Sequence, residues 1–76
     1  MADTDKAQRD RKARLRAVTT AVSRCSNADS ELVHCLATDQ DGEGEHALLH
    51  AESAVRHLEK ALVLTRDIER SLRESA

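Results

Sequence analysis

The chain has 76 residues, 34 % of them charged, a formal net charge of −2, two glycines, and no proline, Phe, Trp or Tyr. A sheet protein of this size would spend aromatic and β-branched residues on strands and Gly or Pro on several turns, so all-β and α/β folds are excluded. A membrane span is excluded as well, because no apolar run approaches the ~20 residues that one needs.

The N-terminal segment is basic. Residues 1–24 carry seven basic and three acidic side chains, whereas residues 25–76 carry five and eleven. The run Lys6, Arg9, Arg11, Lys12, Arg14 and Arg16 has the charge to contact phosphates. No aromatic is present to stack on bases and the rest of the chain is acidic, so nucleic-acid binding is disfavoured. The start of the chain is charged and has no apolar core of a secretory leader, so a cytoplasmic location is expected.

The first helix is expected over about residues 5–38. Leu15, Val18, Val22, Cys25, Leu32 and Leu36 recur at alternating spacings of three and four, the pattern of a coiled-coil seam. Asp29 stands where this stripe needs an apolar residue. Ser26-Asn27-Ala28-Asp29-Ser30 is also a weak helix segment, because short polar side chains compete for the backbone. A kink or a fresh N-cap near Asp29 is the alternative to one continuous helix. Cys25 and Cys35 are ten residues apart, about 15 Å along a helix and too far to bridge. They read as small core residues in a reducing compartment.

Both glycines fall in the acidic segment Asp39-Gln40-Asp41-Gly42-Glu43-Gly44-Glu45, which reads as a turn over residues 39–45 between antiparallel helices. It is not a calcium loop: aligned on its glycine, the first and last ligand positions hold Ala37 and Leu48.

The second helix is expected over about residues 45–74, and it carries two apolar stripes. Leu48, Ala51, Val55, Leu58 and Leu62 continue the three-four spacing; Ala54, Ala61, Leu64, Ile68 and Leu72 form the other. With the turn near Gly42, Leu36 comes level with Leu48, and Val22 with Leu62. Helix one is therefore expected to cover the first stripe. The second would be left over to bind a partner through Ala54, Ala61, Leu64, Ile68 and Leu72.

Chemistry is sparse. His46 and His50 have the i,i+4 spacing of a zinc-binding pair, but no H-E-x-x-H motif or second compact ligand pair accompanies them. Neither cysteine has a base placed beside it by the sequence, and no glycine-rich phosphate loop exists. The reading is a non-enzymatic protein with no cofactor and no assigned metal ligand, built as an all-α antiparallel two-helix hairpin with coiled-coil character.

The stretch Ala47-Leu48-Leu49-His50-Ala51-Glu52-Ser53-Ala54-Val55-Arg56-His57-Leu58-Glu59, with the chain length and the central acidic Gly turn, resembles the small E-class co-chaperones of type III secretion needle subunits (the EscE/YscE type). The resemblance implies a cytoplasmic helical hairpin that binds a tetratricopeptide-like chaperone through helix two, the pair holding a needle subunit soluble before export. The alternative from the residues alone is self-association of two hairpins into a four-helix bundle.

Overall fold

The computed structural model describes the backbone of residues 2–76 and the side chains of residues 4–76. Two helices account for nearly all of it: α1 spans Ala2–Gln40 and α2 spans Gly44–Ser75. α2 packs antiparallel against α1, whose first turns extend past the end of α2, in a slab of 61 × 15 × 13 Å. The fold is thus an all-α helical hairpin, as the composition predicts. Both helices are longer than the sequence pattern suggests, and the turn shrinks from residues 39–45 to residues 41–43.

The turn is short because one glycine closes it. Gly42 takes a φ of +80°, the left-handed conformation that a side chain disfavours. The Gly42 N–H donates to the Asp39 carbonyl at 3.0 Å, and the Glu43 N–H donates to the Thr38 carbonyl at 2.9 Å. These are the paired bonds of a Schellman ending, which satisfy the last free carbonyls of α1. The Ala47 N–H then donates to the Glu43 carbonyl at 3.0 Å and starts α2.

α1 is continuous through Asp29, which removes the kink. The reason lies in which residues form the seam. Among the described residues the buried side chains are Ala21 and Ala28 on α1 and Ala47, Ala54 and Ala61 on α2. Within each helix these alanines are seven residues apart, so they stay on one face over several turns. Methyl side chains let the two backbones approach closely. Asp29 is exposed outside this seam, so it breaks the exposed aliphatic stripe of α1 and not the packing; Ala28 beside it is 2 % exposed and belongs to the seam.

Polar contacts between α1 and α2 line the seam. Arg14 donates to Ser71 Oγ at 3.1 Å and Ser75 Oγ at 3.3 Å. Arg24 Nη1 lies 3.2 Å from His57 Nδ1, and His50 Nδ1 lies 3.0 Å from Glu31 Oε2. A guanidinium only donates, so His57 Nδ1 accepts and its ring proton sits on Nε2. The level of the two helices is close to the one expected from the turn position. Their rotation is not.

Candidate interaction surface

The aliphatic stripe expected to form the hairpin core faces solvent. On α1, Leu15, Val18, Val22, Leu32 and Leu36 are all exposed, Leu15 by 65 %. On α2, Leu48, Val55, Leu58 and Leu62 are exposed too, Leu48 by 58 %. Cys25, expected in the core, is exposed in the same stripe, while Cys35 is half-buried along the seam.

The geometry follows from helical rotation. Leu15, Val22 and Leu36 are one residue beyond the seam positions 14, 21 and 35; Val18, Cys25 and Leu32 are four beyond 14, 21 and 28. These offsets turn the stripe by about 100° and 40° from the seam. On α2, Leu48, Val55 and Leu62 are one beyond 47, 54 and 61, and Ala51, Leu58 and Leu72 are four beyond 47, 54 and 68. In an antiparallel pair equal offsets emerge on the same side of the slab. A shallow groove walled by Val18, Val22 and Cys25 from α1 and Thr65 and Ile68 from α2 shows that they do. We refer to this side as the Leu/Val face. The groove on the other side mixes the apolar Val63 and Leu64 with Thr20 and the charged Arg24, Arg56, Glu59 and Lys60.

The five residues expected to bind a partner therefore separate. Ala54 is 1 % and Ala61 5 % exposed, both inside the seam. Leu64 and Ile68 are half-buried along it. Leu72 alone of the five is exposed, 52 %, and it belongs to the Leu/Val face. The surplus apolar surface exists, but it is the other stripe and it spans both helices. The signal in the sequence was the alanine heptad at 47, 54 and 61, matched by Ala21 and Ala28 on the opposing helix.

The histidines also arrange differently from the i,i+4 reading. His46 Nδ1 lies 3.3 Å from Glu43 Oε2 at the start of α2 and stays exposed. His50 instead joins Glu31 across the seam, with the His34 ring 5.3 Å from its own. Glu31 is held below its ordinary pKa of 4.5, chiefly by the hydrogen bond from His50. Partial burial opposes this, and the charge of His50, a hydrogen bond with Ser53 and the charge of His34 assist it.

Charge is polarised along the slab. The acidic turn, with Asp39, Asp41, Glu43 and Glu45, forms one end, and Lys6, Arg9, Arg11, Lys12, Arg14 and Arg16 lie toward the other. Among the described residues no helix is long and apolar enough to cross a membrane. No protein-family model, curated protein or solved structure matches the chain.

Proposed function

We propose that this chain is a non-enzymatic docking protein whose Leu/Val face packs against helices of another polypeptide. One observation carries the reading: exposed aliphatic side chains line one side of both helices, broken on α1 at Asp29, while the fully buried side chains of the hairpin are alanines among the described residues. About ten aliphatic side chains, each roughly half exposed, would yield on the order of 10 kcal/mol gross on burial. Association costs about 4–15 kcal/mol, so a partner has to cover most of the face. Scattered exposed aliphatics need no explanation, but a contiguous patch of this size marks an interaction site.

The resemblance to needle-subunit co-chaperones gives this reading a specific form. The hairpin is then a cytoplasmic escort that lays its Leu/Val face on a helical-repeat chaperone, the pair keeping a needle subunit soluble before export. Its contacts come from Leu48, Val55, Leu58, Leu62 and Leu72 of α2 and the aligned α1 stripe, rather than from Ala54 and Ala61. The test is co-expression with a helical-repeat protein from a neighbouring reading frame. The wild-type chain forms a stoichiometric complex, and a Val55→Asp/Leu58→Asp variant stays helical but does not. A complex with the variant as tight as wild type removes this face from the function.

Self-association is the second reading, and the charge distribution favours it. Two slabs packed face to face and antiparallel set the acidic turn of one copy against the basic open end of the other, completing a four-helix bundle. Sedimentation equilibrium of the chain alone separates the two readings: a dimer supports self-association, and a monomer at high concentration supports the escort.

A further inference from the structure

The edge of the hairpin opposite the Leu/Val face carries a second grouping that docking does not use. Glu31 and His34 are three residues apart on α1, so both project from one side of that helix. α2 delivers His50 to the same place. His50 Nδ1 and Glu31 Oε2 are 3.0 Å apart, the His34 and His50 rings are tilted 45° at 5.3 Å, and one ligand atom from each residue lies within 4.8 Å of the others. Two imidazoles and a carboxylate make a His2Glu donor set, chemistry that suits zinc above calcium or magnesium.

We propose that Glu31, His34 and His50 form a zinc site that pins α1 to α2 beside the turn. Zinc–nitrogen and zinc–oxygen bonds of about 2.0–2.2 Å put neighbouring ligands of a tetrahedral ion roughly 3.3–3.5 Å apart. The Glu31–His50 pair needs only to open slightly, with the ion entering between oxygen and nitrogen and the ring proton moving to Nε2. His34 has to close the remaining distance. It is exposed, whereas Glu31 and His50 are already oriented by each other. Three protein ligands leave a fourth position for water. The ion would join positions 19 residues apart in the chain, and so would tie together two helices whose seam is built of methyl groups.

The proposal is tested on the full, reduced chain, stripped with a chelator and titrated calorimetrically with zinc chloride at neutral pH. One ion binds per chain. At a hundredfold excess over the dissociation constant the melting temperature rises by roughly 10–20 °C at fixed protein concentration. His34→Ala is the decisive variant, because an exposed ring is not needed for folding: it keeps the wild-type helical spectrum and weakens zinc by at least about tenfold. Glu31→Gln weakens it likewise, and a Cys25→Ser/Cys35→Ser variant binds as wild type. Absence of zinc binding by the wild-type chain overturns the site. So does wild-type affinity in His34→Ala, or loss of binding in the cysteine variant, which would hand the ion to the thiols. None of these outcomes depends on what covers the Leu/Val face.

Discussion

Replacing Ala54 by Leu tests the rotation of the two helices directly. Ala54 is 1 % exposed in the seam between α1 and α2, so the larger side chain has no free volume to enter. Overpacking of this kind costs typically 1–3 kcal/mol. For a domain of this size each kcal/mol moves the melting temperature by about 4–8 °C, so Ala54→Leu should melt roughly 5–20 °C below wild type. The opposite arrangement, with the Leu/Val stripe inside, makes a different forecast. Ala54 would then face solvent, and Leu, nearly as good a helix former, would change stability by less than about 0.5 kcal/mol. Leu58→Ala is the paired control. At 46 % exposure it should cost on the order of 1 kcal/mol, against about 2–5 kcal/mol for a leucine buried in a seam. The assay is thermal melting by far-ultraviolet circular dichroism, at a concentration where the chain is monomeric. If Ala54→Leu melts with wild type while Leu58→Ala falls by more than about 2 kcal/mol, the alanine seam is wrong and so is the interaction surface derived from it.

Gly42→Ala should lower stability by about 1–2 kcal/mol, read as a lower melting temperature, because nothing crowds the position and the whole cost is the left-handed backbone at φ +80°. In the metal-free chain the Glu31–His50 contact should make stability fall in acid. Glu31 has a lowered folded pKa, so its contribution is complete above the ordinary value of 4.5 and is lost as pH drops through the folded value; Glu31→Gln should flatten that acid limb in pH-dependent melts. If two copies pair with acidic turn against basic end, raising salt from about 0.05 to 0.5 M should weaken the dimer in sedimentation, since exposed charges are screened over a shrinking Debye length. Salt-independent association would remove the end-to-end charge pairing.

Local physics alone carries the hairpin. The absence of proline and aromatic residues, the excess of Ala, Leu, Glu and Arg, and one glycine pair near the middle specify two helices and a turn. They do so because helix propensity and the left-handed preference of Gly42 act over a few residues and need no knowledge of the neighbour. The turn position also sets the level of the helices, which is why Glu31 and His50, or Arg14 and Ser71, meet close to where counting from Gly42 places them.

The rotation of each helix about its own axis is a tertiary decision. Spacing alone showed two stripes on α2, and hydrophobicity favoured the leucines for the inside. Burial, however, rewards the arrangement that brings two backbones closest, and five alanines achieve that where Leu15, Val22, Leu48 and Val55 would hold the helices apart. The same rotation buries Ala54 and Ala61 in the seam and leaves the Leu/Val face exposed. It also turns His50 of α2 toward Glu31 and His34 of α1, a grouping that depends on how each helix is rotated as well as on their level. Periodicity reports that a helix has an apolar side; only the packed pair determines which side each helix turns inward.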